Sequence, residues 1–266
     1  MQSDVFFATH PVFTLEEFVR AGEGAGRTRS TAKNLLAKHV VAGRIVRVRR
    51  GLYASVPVGL APSRATVDPF LLAAWLADDA VVAYHAALQF HGKSYSVWRR
   101  FHYLTDRHRR PFGFRGDEFL PVPTPASVRS RPDRGGGIEA LAHAGGEVRV
   151  TTLERTLVDA LDAPERCGGW EEVWRSLEMV EFFDVAEVVE YAELLGSALT
   201  AARVGFFLEQ HQQELMIEGQ HLADLRRMRP RQPRYFDASR ARGRLHAAWN
   251  LIVPDEIAGR RWEEPA

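Results

Sequence analysis

A basic helix that runs straight into an alternating strand–turn–strand constrains this chain more than any other feature. In Arg29-Ser-Thr-Ala-Lys-Asn-Leu-Leu-Ala-Lys-His-Val-Val-Ala-Gly43, the residues Ala32, Leu35, Leu36 and Val40 recur at spacings of three and four. They share one face of a helix starting near Ser30 and ending near Gly43, with Lys33, Asn34, Ala37 and Lys38 on the other. Arg44-Ile-Val-Arg-Val-Arg-Arg-Gly-Leu-Tyr-Ala54 follows at once. Val46 and Val48 alternate with Arg47 and Arg49 as in a strand with one wet face, and Arg50-Gly51 supplies a turn. Between Gly24 and Val67 there are nine Arg/Lys residues and no Asp or Glu. A cationic helix joined to a cationic hairpin is the pattern of a winged helix-turn-helix, whose helix and wing meet DNA phosphates and base edges.

The net charge of +1 over 266 residues hides an asymmetry, because residues 1–67 carry +6 and the remainder −5. One sign of charge gathered in a small N-terminal module suits a polyanionic partner for that module, although a merely solvated basic face has the same composition. The chain is long enough for two cores. Its single cysteine, Cys167, excludes an intramolecular disulfide and a Cys-rich zinc site, and fits a reduced residue in a cytoplasmic protein. The start, MQSDVFFATHP, lacks the basic and long apolar segments of a signal peptide. The apolar run from Phe70 to Ala77 stops at Asp78-Asp79, too short for a bilayer, so no membrane partner is expected.

The expected fold class is α+β: an N-terminal winged helix-turn-helix followed by a larger mixed α/β domain with a helical C-terminal part. Thr14 and Glu17 form a capping box that opens a helix with Leu15, Phe18 and Val19 on its apolar face, ended by Gly22 and Gly24. The DNA-binding module is placed at residues 1–56 and a Pro-rich linker at 57–69. The second domain, 70–266, divides into a sheet region at about 80–151, helices at about 152–228 and a terminal strand at 244–254 that returns to the sheet. Helices are expected over Pro69–Ala77, Tyr84–His91, Gly169–Phe183, Asp184–Leu195 and Ala198–Gln212. Strands are expected at 80–83, 101–105, 118–122 and 147–151, with an Arg/Gly-rich loop at Arg129–Gly137. Thr151 with Glu154 reads as a second capping box, and Asp184 and Gly196 as clear helix ends.

Candidate DNA-binding residues are Arg27, Arg29, Ser30, Thr31, Lys33, Asn34, Lys38, Arg47, Arg49 and Arg50. Arg29, Lys33 and Lys38 suit phosphates or guanine O6/N7. Asn34 has the paired donor and acceptor that match adenine, and is equally acceptable as a solvated side chain. Ser30 and Thr31 sit where free N–H groups favour a phosphate. Arg47, Arg49 and Arg50 suit a backbone or minor-groove contact. A second basic run, Lys93 to Arg115, offers Arg99, Arg100, Arg107, Arg109 and Arg110 as accessory contacts. Its interleaved Tyr95, Trp98, Phe101, Tyr103, Phe112 and Phe114 fit either a nucleic-acid platform or, more simply, a core.

No P-loop is present, and all three lysines (Lys33, Lys38 and Lys93) lie in the first third, which disfavours a nuclease pairing carboxylates with a catalytic lysine. His85 and His91, like His102 and His108, are six apart and fit no metal spacing. Thr151, Glu154, Arg155 and Asp159 suggest capping and i,i+4 pairing before catalysis. No catalytic residue, metal site or cofactor is expected, and the chain does not read as an enzyme.

The segments Gly43–Ala54, Arg109-Arg-Pro-Phe112, Val150-Thr-Thr-Leu-Glu-Arg-Thr-Leu-Val-Asp-Ala160, Gly168-Gly-Trp-Glu-Glu172, Phe206-Phe-Leu-Glu-Gln-His211 and Trp249-Asn-Leu-Ile-Val-Pro254 together resemble the AbiEi family, the antitoxins of type IV toxin–antitoxin systems. That resemblance implies a DNA-binding winged helix joined to an antitoxin domain, a repressor of its own operon that binds inverted repeats in the promoter. It further implies a nucleotidyltransferase-like toxin that is countered without a stable complex. Two rival readings remain open. One is a nuclease or nucleotide-modifying domain delivered to DNA by the N-terminal module. The other is a protein-interaction module built on the acidic helices of residues 154–228.

Overall fold

The computed structural model describes residues 3–22, 26–131 and 136–259. It shows a mixed α/β architecture whose N-terminal helix–strand region is consistent with a winged helix-turn-helix. The chain forms two compact units: one of residues 1–82, 99–121 and 140–149, the other of 83–98, 122–139 and 150–266. Gly24 and residues 132–135 of the Arg129–Gly137 loop lie outside the described residues.

The first unit opens with helix α1 (Ser3–Thr9), strand β1 (Val12–Thr14), helices α2 (Leu15–Arg20) and α3 (Arg29–Val41), then strands β2 (Ile45–Arg49) and β3 (Leu52–Ser55). The three strands pair in the order β1-β3-β2, all antiparallel. α2 begins where expected. Thr14 Oγ1 accepts from Glu17 N at 3.2 Å, and Glu17 Oε2 accepts from Thr14 N at 2.9 Å, so each group satisfies an orphan donor of the other. Leu15 N also donates to Gly51 O at 2.8 Å, which ties the start of α2 to the hairpin turn. α3 starts one residue before Ser30, because its cap is Thr28, whose hydroxyl accepts from Thr31 N. Leu36 and Ala32 are fully buried against Phe6, Phe7, Phe13, Leu15, Phe18 and Ile45. A phenylalanine buried as completely as Phe18 contributes roughly 2–3 kcal/mol of transfer free energy.

The same unit continues through α4 (Pro69–Ala74), capped by Asp68, into a six-stranded sheet. Its strands are β4 (Val81–Val82), β5 (Arg100–Leu104), β6 (Phe112–Phe114), β7 (Asp117–Val122), β8 (Ile138–His143) and β9 (Gly146–Thr151), in the order β6-β7-β5-β4-β9-β8. β6 and β8 lie outside the strands that the sequence pattern predicts. Phe101 meets Phe70 edge-on at 5.3 Å and stacks on Phe119 at 5.6 Å. Phe101 and Tyr103 are buried, so these two aromatics of the second basic run are core.

The second unit is mainly helical: α5 (His85–Phe90), α6 (Ala126–Arg129), α7 (Leu153–Asp162), α8 (Trp170–Leu177), α9 (Val185–Leu195), α10 (Ala198–Gln210), α11 (Gly219–Met228) and α12 (Asp255–Ala258). α7 is buried from Arg155 to Leu161. Asp184 caps α9 and Gly196 ends it in the left-handed region at φ +72°, as expected. Three expectations need correction. The cap of α7 is Thr152, not Thr151; Arg155 stands three residues on, so no reciprocal glutamate closes a box, and Thr151 completes β9 with its Oγ1 2.7 Å from Thr156 Oγ1. α8 stops at Leu177 rather than Phe183. Residues 244–254 do not return to the six-stranded sheet. A turn ending at Asn250 (φ +52°) splits them into β11 (Gly243–His246) and β12 (Leu251–Pro254), which pair with β10 (Arg234–Tyr235) in a separate sheet.

His85 is wholly buried in this unit, its ring stacked on Trp98 at 4.3 Å and its Nε2 3.0 Å from Glu172 Oε1. Burial pushes its pKa below the ordinary 6.5, against a smaller upward pull from Glu172. Below pH 6.5 the unfolded chain therefore binds a proton that the folded state refuses, so stability is lost as the pH is lowered through that window. Urea unfolding across this range should show the fall, and His85→Gln should flatten it. A slope unchanged in the variant would assign the effect elsewhere.

Candidate nucleic-acid interface

The helix and the hairpin enclose a groove of about 790 Å³ whose lining includes Arg29, Lys33, Ala37, Arg47, Arg50 and Tyr53. Among the described residues Glu16 is the one acidic side chain on its walls. The groove exists because α3 buries Ala32 and Leu36, which turns Lys33, Asn34, Ala37 and Lys38 to solvent. The first turn of α3 contains no acidic residue, so the positive end of its dipole is left uncompensated. Ser30 is exposed there, whereas the Thr31 hydroxyl lies 2.9 Å from Thr28 Oγ1 and serves the cap.

The arginines of this region divide into three kinds. Arg47 and Arg50 are exposed, and neither side chain has a hydrogen-bond or ion-pair partner among the described residues; the same holds for the side chains of Lys33 and Lys38. Arg29 pairs with Glu16 at 2.6 Å, but both side chains are more than half exposed, so water screens the pair and it contributes little. Arg27 and Arg49 turn inward. Arg27 lies over the Phe18 ring at 4.2 Å and donates to Phe18 O at 3.0 Å, which ties Arg27 back to α2. Arg49 donates through Nη2 to Leu76 O at 2.6 Å. Burial, and then the neighbouring Arg109 charge, lower its pKa from the usual arginine value.

The inward turn of Arg49 has a local cause. The β2–β3 register slips between Arg47 and Arg49, a bulge that breaks strict alternation. Ile45 and Val48 are consequently the buried residues of β2, while Val46 is only partly buried. A strand with Arg47 and Arg49 on one wet face was the sequence expectation, and the structure separates the two.

The second basic run is largely neutralised within the first unit. Arg99 Nε pairs with Asp117 at 2.7 Å, Arg100 Nε with Glu118 at 2.9 Å, and Arg107 Nη2 with Asp78 at 2.9 Å. Arg109 Nε donates to Leu76 O at 3.2 Å, Arg115 donates to the carbonyls of Pro62 and Ala65, and Arg110 is exposed. Arg115, Arg44 (paired with Asp4 at 2.6 Å) and Tyr53 were not among the candidates. Among the described residues, no three His, Cys, Asp or Glu side chains are grouped to hold a metal ion.

Residues 5–56 match the model of a family described as "Transcriptional regulator, AbiEi antitoxin". The match ends with the wing hairpin and bears out the resemblance over those residues. No curated protein matches the chain. The crystal structure of the RV2827C protein from Mycobacterium tuberculosis is similar in fold, with a TM-score of 0.61 over 93% of this chain and 87% of that one, at 19% identity.

Proposed function

We propose that this chain is a DNA-binding transcriptional regulator that represses its own operon by binding inverted repeats in the promoter. In this reading residues 1–56 form the DNA-binding domain, 57–69 a linker and 70–266 an antitoxin domain. The observation that carries it is the groove between α3 and the hairpin, where Lys33, Arg47 and Arg50 stand exposed and unneutralised by any described residue, with Lys38 exposed on the same helix. The family match over residues 5–56 supports the regulator role. α3 would enter the major groove with Asn34 facing a base edge and Lys33 and Lys38 on phosphates, while Arg47 and Arg50 follow the flanking backbone. Arg29 would exchange Glu16 for a phosphate, at little cost because the pair is exposed. The family description names an antitoxin, and we extend the reading to a second layer, in which the chain is an antitoxin of type IV character that counters a nucleotidyltransferase-like toxin without a stable complex. No helix among the described residues is long and apolar enough to cross a membrane; in this reading the chain acts in the cytoplasm.

Fluorescence anisotropy with a labelled duplex from upstream of the gene tests the reading. With about four to six phosphates neutralised per protomer, the slope of log K against log salt should be near −0.9 for each. The upstream duplex should bind more tightly than an unrelated duplex of equal length. No binding, or binding indifferent to salt, would overturn the proposal.

A further inference from the structure

Two guanidinium groups from separate elements meet at one uncharged oxygen. Arg49, on β2, donates through Nη2 to the carbonyl of Leu76 at 2.6 Å, and Arg109, in the loop between β5 and β6, donates through Nε to the same atom at 3.2 Å. A carbonyl carries only a partial negative charge, so it does not neutralise two cations. The nearby carboxylates are committed elsewhere. Asp78 is held by Arg107 through both Nε and Nη2, at 3.1 and 2.9 Å. Asp79 accepts from Thr105 Oγ1 at 2.5 Å and from Asp106 N at 2.8 Å. Arg99 and Arg100, in the same unit, each have a carboxylate of their own.

A guanidinium has five N–H donors, and the bond to Leu76 is the one hydrogen bond each of these two side chains makes among the described residues. The remaining donors suit the oxygens of a phosphodiester, which accept from a planar fork better than from a point charge. The position is continuous with the interface, since Arg49 also lines the groove beside Lys33, Arg47 and Arg50. Arg49 is partly shielded from solvent, where a charge–charge contact is screened less than on open surface.

We propose that Arg49 and Arg109 together form an additional phosphate site, which takes a backbone phosphate of the bound duplex beyond the wing. The inference rests on the DNA-binding reading and extends it, because the footprint would then run from α3 across the hairpin to the 105–111 loop. Most of the second basic run contributes nothing comparable, its charges being already paired.

The test uses the full chain and the same upstream duplex. Arg109→Ala should make the salt slope about 0.9 less steep, the equivalent of one phosphate contact. Arg99→Ala removes the same formal charge from a carboxylate-paired position and should leave the slope as it was. Arg49→Lys combined with Arg109→Ala should lose little more than Arg109→Ala alone, because both changes dismantle one site; unfolding curves confirm that the hairpin survives. A wild-type slope in Arg109→Ala, or equal losses in Arg109→Ala and Arg99→Ala, would overturn the site while leaving the winged-helix reading intact. Failure of the wild-type chain to bind the duplex would remove that reading first.

Discussion

Alanine at Lys33, Arg47 and Arg50 together should weaken binding to the upstream duplex by roughly 10- to 100-fold near physiological salt, with the salt slope about 2.7 less steep. The loss should be similar for every duplex, since phosphate contacts hold the protein on DNA without reading sequence. Folding should be almost untouched. None of the three side chains has a partner among the described residues, and surface changes of this kind usually stay within about 0.5 kcal/mol. Asn34→Ala provides the contrast: it should keep the salt slope and cost about 1–3 kcal/mol of discrimination at one base pair. Anisotropy titrations on promoter and scrambled duplexes, with urea unfolding as the control, separate these outcomes. Undiminished binding by the triple variant would show that DNA meets another face.

A second large effect is expected far from that groove. Asp159→Ala should destabilise the chain by about 3–5 kcal/mol, because it leaves a buried guanidinium without its counter-ion. Arg155 is fully buried, with Nε 3.1 Å from Asp159 Oδ2 and Nη1 2.5 Å from Gly136 O. Tyr191 donates to the other carboxylate oxygen at 2.9 Å and its ring lies 5.0 Å from the Arg155 guanidinium. Losing the carboxylate therefore strands a hydroxyl as well as a cation. Replacing both charges with apolar residues of similar volume, Arg155→Met with Asp159→Leu, should recover much of the loss, since two desolvated ions are then absent together. Urea denaturation of the three proteins measures this, and a single variant as stable as the parent would show that the pair contributes nothing.

Features governed by neighbouring residues were legible in the sequence. The Thr14–Glu17 box, the Asp184 cap, the Gly196 stop, the Arg155–Asp159 pair and the buried face of α3 all follow from spacings of four residues or fewer. What escaped depended on distance or on very short elements. α1 has only seven residues, too few to show a period, yet it brings Phe6 and Phe7 to the first core. β6 is three residues long, and β8 fully buries none of its residues, so neither shows a marked apolar face. The pairing of Arg100 with Glu118, or of Arg107 with Asp78, joins residues 18 and 29 positions apart, so a run that reads as excess positive charge is compensated once folded. The bulge in β2 is likewise invisible to a pattern of alternating residues, and it decides the fate of Arg49.

That bulge has a consequence for how quickly a duplex is engaged. With Arg49 fastened to the Leu76 carbonyl, the strand bearing Arg47 is held in shape before any ligand arrives. Little conformational entropy is then left to lose on association, and encounter rather than rearrangement should set the on-rate. A hairpin cut loose at that point would still carry its charge, but would dock more slowly.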